Sequence, residues 1–230
     1  MKTIGLIGGM SWESSAEYYR LINEEVKRRL GGLHSARVLM LSADFAEIEE
    51  LQRAGDWDAA ARQLIDAARR LERGGADFVL LCTNTMHRVA PELEQALSIP
   101  LVNIADATAE AIEAAGLATV GLLGTRYTME QDFYRGRLED RHRLNVIVPE
   151  EPARTLVHDV IYDELVLGRV EESSRAAFAG IIGGLVDEGA EAVVLGCTEI
   201  GLLVGEADSP VRLFDTTRIH AERAVELALR

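Results

Sequence analysis

Asp77-Phe-Val-Leu-Leu-Cys82-Thr83-Asn84-Thr85 and Ala192-Val-Val-Leu-Gly-Cys197-Thr198-Glu199 are two short apolar runs that end at the same pair, Cys-Thr. They carry the only two cysteines among 230 residues. A continuous apolar run reads as a strand buried on both faces, as in parallel sheets covered by helices. Outward from these runs, the two halves of the chain repeat each other. Thr3-Ile-Gly-Leu-Ile-Gly8 is answered by Thr119-Val-Gly-Leu-Leu-Gly124, and Tyr18-Tyr-Arg20 by Phe133-Tyr-Arg135. The pattern restarts after a helix at 107–115, so the chain reads as an internal duplication with its boundary near Gly116.

The opening strand breaks into Gly8-Gly9-Met10-Ser11, with Ser11 placed as an N-cap. Tyr18, Leu21, Ile22 and Val26 give residues 17–30 helical spacing. A strand at 37–42 precedes a helix-rich stretch whose main element spans about 57–73, with Leu64, Ala68 and Leu71 on one face. Strands follow at 77–81 and 101–104, separated by a helix at about 90–97. The second half supplies strands at 145–148, 192–195 and 211–214 and a closing helix at 217–229. Apolar strands alternating with amphipathic helices predict an α/β fold of two similar lobes. Each lobe is a parallel sheet flanked by helices, and the two are related by a pseudo-two-fold duplication. The lobes are expected at 1–115 and 116–215, with 216–230 a C-terminal helix available to pack back on the first. No Pro/Ser-rich linker separates them, which predicts tight packing.

A net charge of −14 disfavours nucleic acid and anionic membrane surfaces as partners. No secretion signal and no membrane-spanning apolar stretch is visible, so a cytoplasmic location is expected. The cysteines lie 115 positions apart without Cys-x-x-Cys or histidine pairing, and the five histidines show no ligand spacing, so no metal is expected. Gly5, Gly8 and Gly9 do not match a dinucleotide-binding Gly-x-Gly-x-x-Gly. Ligands of open parallel sheets bind outside the carboxyl ends of the strands. The unusual clusters all fall at such ends: Gly8 to Ser11, Asp44, Cys82 to Thr85, Gly124-Thr125 and Cys197 to Glu199. Their convergence predicts one site in a cleft between the lobes.

Leu81-Cys82-Thr83-Asn84-Thr85-Met86-His87, Leu195-Gly196-Cys197-Thr198-Glu199-Ile200 and the opening Gly-Gly-Met-Ser on a duplicated frame resemble the aspartate/glutamate racemase superfamily. The resemblance covers essentially the whole chain. It implies a cofactor-independent isomerase, two α/β lobes with a facing pair of catalytic groups, a small amino-acid substrate and a homodimer. Cys197 carries over as the thiol acting on one substrate face. The first motif departs, because family members place the cysteine directly before Asn-Thr or Asn-Ser, and Thr83 holds that place here. The spacing agrees: Gly75 to Thr83 is eight steps, and so is Gly189 to Cys197. Strand neighbours point to opposite faces, so Cys82 and Thr83 do not both face the cleft unless the strand bulges or ends. The literal Cys-Thr match of the two segments argues for Cys82, the spacing for Thr83.

Racemisation removes the Cα proton on one face and returns a proton on the other, which calls for two opposed proton-transfer groups. A thiol, with an unperturbed pKa of about 8.5, suits this task. A threonine hydroxyl donates or relays a proton but is not an equivalent base. With Cys197 opposite Thr83, activity is expected to be asymmetric, and the resemblance implies the L enantiomer as the favoured substrate. Asn84, Thr85 and Thr198 directly follow the two catalytic positions, where backbone N–H groups help bind a carboxylate. Met10, Ser11 and Thr125 close the same pocket, and Glu199 stands at the end of the second motif. Gln52, Arg53 and Arg126 are candidate anchors for a side-chain carboxylate, and Glu164 is assigned to the substrate ammonium by analogy. His87 is placed to tune the first motif. Alternatives on the same scaffold are hydantoin racemisation, maleate isomerisation and arylmalonate decarboxylation. Outside it stand a non-catalytic amino-acid or dicarboxylate sensor and a thiol-redox protein.

Overall fold

The computed structural model describes residues 1–230, in which strands and helices alternate along the chain. The chain divides into two units, one formed by 1–104 with 220–230, the other by 105–219.

In the first unit β1 (Ile4–Gly8), β2 (Val38–Ser42), β3 (Phe78–Leu81) and β4 (Leu101–Val102) form a parallel sheet ordered β2-β1-β3-β4. Helices α1 (Trp12–Leu30), α2 (Phe45–Ala54), α3 (Trp57–Arg73) and α4 (Ala90–Ala96) supply the connections. Because strand side chains alternate, the sheet feeds two separate cores. Ile7, Val79 and Leu81 pack with Leu64, Ala68 and Leu71 of α3 and with Ile48 of α2. Ile4, Leu6, Phe78, Leu80 and Cys82 pack with Tyr18, Ile22 and Val26 of α1 and with Ala221, Ala224 and Val225 near the C-terminus. Each fully buried aliphatic side chain contributes about 1.5–3 kcal/mol, so both sheet faces are held firmly.

The second unit repeats the plan with α5 (Ile104–Ala114), β5 (Thr119–Gly124), α6 (Arg126–Glu130), β6 (Asn145–Ile147), α7 (Ala153–Asp163) and α8 (Glu172–Asp187). β7 (Ala192–Gly196), α9 (Ile200–Leu203), β8 (Arg212–Asp215) and α10 (Thr216–Leu229) complete the chain. Its sheet is parallel and ordered β6-β5-β7-β8, the same relative order as the first. The protein is thus an α/β fold with two four-stranded parallel sheets flanked by helices. Even the strand entrances match. The Asp77 carboxylate accepts the Thr3 N–H at 2.6 Å, and the Glu191 carboxylate accepts the Thr119 N–H at 2.8 Å. Helices α7 and α8 are additions to the expected elements, with Val157, Val160 and Ile161 forming the buried stripe of α7. Phe178, Ile182 and Leu185 keep an unbroken buried stripe on α8, while Gly180, Gly183 and Gly184 lie off it and lower the helix propensity, glycine being a poor helix former.

Candidate active site

The turn after β1 is built to bring backbone close. Gly9 has φ +89°, and a Cβ there would lie 2.1 Å from the Ala43 carbonyl oxygen, so only glycine fits. Ser15 Oγ accepts the Gly9 N–H at 2.7 Å and donates to the Ser11 carbonyl at 2.9 Å. Ser11 in turn caps α1 by accepting the Ser14 N–H at 3.3 Å. These bonds fix the Met10-Ser11 peptide beside the end of β3, since Ile7 pairs with Leu81.

Past Leu81 the ladder continues one residue, the Cys82 N–H donating to the Ile7 carbonyl at 2.9 Å. Cys82 therefore keeps strand alternation and falls on the face of Phe78 and Leu80, fully buried in the α1 core. Burial pushes its thiol pKa up. Thr83 comes next, belongs to neither core and keeps 7 % exposure.

The sheet registers relate the two motifs by geometry. In the first unit Ile4 pairs with Phe78 and Ile7 with Leu81. In the second Val120 pairs with Ala192 and Leu123 with Leu195. Ile4 and Ile7 occupy the places of Val120 and Leu123 in the repeated strand, so Leu81 corresponds to Leu195, Cys82 to Gly196 and Thr83 to Cys197. The literal Cys-Thr match is one residue out of register. Gly196 itself has no room for a side chain, because a Cβ there would meet the Leu123 carbonyl oxygen at 2.9 Å.

Cys197 keeps 8 % exposure at the end of β7. Its thiol donates to Glu199 Oε2 at 3.0 Å, and the Thr198 hydroxyl donates to the same oxygen at 2.7 Å. Burial, then the Glu199 charge and its hydrogen bond, raise the Cys197 pKa well above the ordinary thiol value. The sulfur thus rests protonated, with its proton directed at a carboxylate able to accept it. Removing that negative charge favours the thiolate. Glu199→Gln is expected to speed iodoacetamide labelling of Cys197 at pH 8, followed by peptide mass spectrometry, and to shift the labelling profile to lower pH. A slower reaction, or an unmoved profile, would show that the carboxylate does not hold the thiol protonated.

The family described as Asp/Glu/hydantoin racemase matches this chain over residues 7–224. The chain belongs to that family. Over the full length of both chains it is 53 % identical to the crystal structure of a proposed Asp/Glu racemase from Yersinia pestis, with a TM-score of 0.94. An aspartate racemase homologue from Pyrococcus horikoshii OT3 is 34 % identical, again over all of both chains, with a TM-score of 0.85. The broad-specificity amino-acid racemase RacX of Bacillus subtilis strain 168 is 24 % identical over 174 residues, 76 % of this chain and 74 % of RacX. The racemase fold also serves other chemistry. A mutant arylmalonate decarboxylase shares it at a TM-score of 0.54 and 16 % identity, covering 99 % of this chain and 93 % of its own.

Within this racemase-family frame, the carboxyl ends of adjacent strands β1 and β3 bring together Met10, Ser11, Thr83, Asn84 and Thr85. Gln52 joins them from α2, buried, its amide 3.0 Å from the Met86 sulfur. In the second unit Thr125 follows β5 and caps α6 by accepting the Thr128 N–H at 3.3 Å, while Cys197, Thr198 and Glu199 follow the adjacent β7, whose Gly196 pairs with Gly124. Glu164 accepts the Ser174 hydroxyl at 2.7 Å at the end of α7, and the turn that follows it packs against α9. Arg53 is exposed and faces Glu49 at 3.9 Å, while Arg126 donates to Thr155 at 3.1 Å. Asp44 is exposed and caps α2. Ser15 and Ser14 were not picked out from the sequence. A serine four residues downstream of the cap was the available signal, because that spacing returns a side chain to the turn. No group of three or more His, Cys, Asp or Glu side chains is placed to hold a metal ion. No helix is long and apolar enough to cross a membrane.

Proposed function

We propose that this chain racemises an acidic amino acid, aspartate or glutamate, without pyridoxal phosphate, and that it works as a cytoplasmic homodimer. Cys197 is the base toward the L enantiomer, and Thr83 serves the opposite face of Cα as hydroxyl donor or proton relay. One observation carries this reading. The two sheet registers equate Thr83 with Cys197, while the other thiol, Cys82, is sealed in a core.

The chemistry follows from the residue types. The Cys197 proton passes to the Glu199 carboxylate it already touches, leaving a thiolate that takes the Cα proton. Charge then builds on the substrate carboxylate. Hydrogen-bond donors at Asn84, Thr85 and Thr198 stabilise that dianion, the work a cofactor does in other racemases. A proton reaches the other face from the Thr83 hydroxyl, which water replenishes. Glu199 gives up the proton it holds to neutralise the hydroxide so formed, so that thiol, hydroxyl and carboxylate return to their starting states. Gln52 is proposed as a polar partner of the side-chain carboxylate, and Glu164 of the substrate ammonium. Met10, Ser11 and Thr125 close the pocket.

Racemisation has an equilibrium constant of one, so overall kcat/KM is the same in both directions. The asymmetry between a thiol and a hydroxyl therefore appears in the separate kcat and KM values and in isotope exchange. Incubating purified protein in D2O with each enantiomer of aspartate and glutamate tests the reading by chiral chromatography and mass spectrometry. Deuterium is expected at Cα of the L substrate at least about 10²-fold faster than at Cα of the D substrate. Tight binding of these amino acids without exchange would make the protein a sensor, and equal exchange of both enantiomers would remove the Cys/Thr asymmetry.

A further inference from the structure

Two buried histidines in the first unit have partners on both ring nitrogens. His87 Nδ1 lies 2.8 Å from the Thr83 carbonyl oxygen, and His87 Nε2 lies 3.2 Å from the Ile104 backbone nitrogen. A backbone N–H can only donate, so Nε2 is the acceptor, and Nδ1 carries the proton it gives to Thr83. The ring is neutral in a single tautomer. His220 Nε2 lies 2.9 Å from the Val102 carbonyl, and its Nδ1 lies 2.8 Å from the Tyr18 hydroxyl. By the same argument Nε2 donates to Val102 and Nδ1 accepts from Tyr18. Burial and the neighbouring His87 push the His220 pKa down to about 3. The two rings meet edge to face, 5.9 Å between centroids, and both are at most 2 % exposed.

The connection at Thr83 has a local cause. In an α-helix the Thr83 carbonyl would receive the His87 backbone N–H, four residues on. Residues 85–89 form a tighter 3₁₀ turn instead, and the His87 N–H donates to Asn84 at 3.0 Å. The imidazole supplies the missing donor. Through its other nitrogen it grips the first residue of α5, while His220 grips Val102 two residues earlier.

We propose that His87 is the positioning residue for Thr83. It bolts the peptide that carries the Thr83 hydroxyl to the β4–α5 turn, and His220 with Tyr18 braces that turn from behind. His87 exchanges no proton with substrate, since both its nitrogens are committed. The proposal rests on the reading of Thr83 as the group serving the second face of Cα. It predicts a defect confined to that face.

The test compares two near-isosteres in D2O with the L substrate. Asparagine at 87 puts an amide donor where Nδ1 stands and keeps the bond to Thr83, whereas glutamine puts its amide where Nε2 stands and loses that bond. The readout is D product formed per deuterium washed into recovered L substrate, a ratio that general destabilisation does not move. His87→Gln is expected to lower this ratio about tenfold, and His87→Asn to keep it within about twofold. Equal ratios in the two variants, or a ratio unchanged from wild type in His87→Gln, would overturn the proposal. Nitrogen-15 NMR of the histidine rings in the wild type adds a check that needs no variant. A His87 proton on Nδ1 is required, and one on Nε2 overturns the proposal even if neither variant folds. Absence of any Cα exchange in the wild type is a separate outcome, which removes the racemase reading and this inference with it.

Discussion

Cys197→Ser is expected to slow Cα–deuterium exchange of the L substrate about 10³-fold or more. A serine hydroxyl keeps the size of the side chain but is a far poorer acid at the pH where a thiol can be ionised, and a misplaced or mismatched base costs 10²–10⁴-fold. The Glu199 carboxylate remains to accept a proton, so the loss isolates the sulfur. Cys82→Ala is the matched control. Its sulfur is fully buried on the α1 side of the first sheet, and its removal leaves a cavity costing about 1 kcal/mol, or roughly 2–4 °C in Tm. Exchange is expected to stay within about threefold of wild type. Loss of exchange in Cys82→Ala with full activity in Cys197→Ser would reverse the assignment of the two thiols.

Thr83→Cys is expected to have the second largest effect, in the opposite direction. The position corresponds in register to Cys197, so a thiol there restores a base on the second face. Deuterium exchange of the D substrate should rise about 10²-fold or more, and overall racemisation should quicken equally in both directions. Both tip residues are nearly buried, at 7 % and 8 % exposure, and the replacement changes the side-chain volume little. A Thr83→Cys protein that exchanges the D substrate no faster than wild type would mean that Thr83 does not serve the second face. Thr83→Ala, by contrast, should leave exchange of the L substrate largely intact while D product falls.

The α/β architecture was legible because buried parallel strands announce themselves. Phe78 to Leu81 and Ala192 to Gly196 are apolar at every position, and both are fully buried. The strand expected at 101–104 was visible through Pro100, but it pairs only over Leu101 and Val102, and Ile104 already begins α5. Helices α7 and α8 were not among the expected elements, although Val157, Val160 and Ile161 and then Phe178, Ile182 and Leu185 keep helical spacing. The glycines of α8 lower its propensity, and tertiary packing supplies what propensity lacks. Cys197, Thr198 and Glu199 could be named as neighbours from sequence, but the carboxylate's hold on the thiol could not. It depends on how the chain turns after β7. The Tyr18–His220 bond joins residues 202 positions apart, and no local pattern encodes such a pairing.

Duplication, strand placement and the two Cys-Thr motifs were written in the order of residues, because a period of two or of 3.6 and a repeated word survive in one dimension. Which member of Cys82-Thr83 points away from the core was not. Two alignments of the halves, one residue apart, compete in the sequence, and a shift of one residue on a strand turns every side chain to the other face. Hydrogen-bond register between β1 and β3 and between β5 and β7 decided between them, since pairing is a relation between strands far apart in the chain.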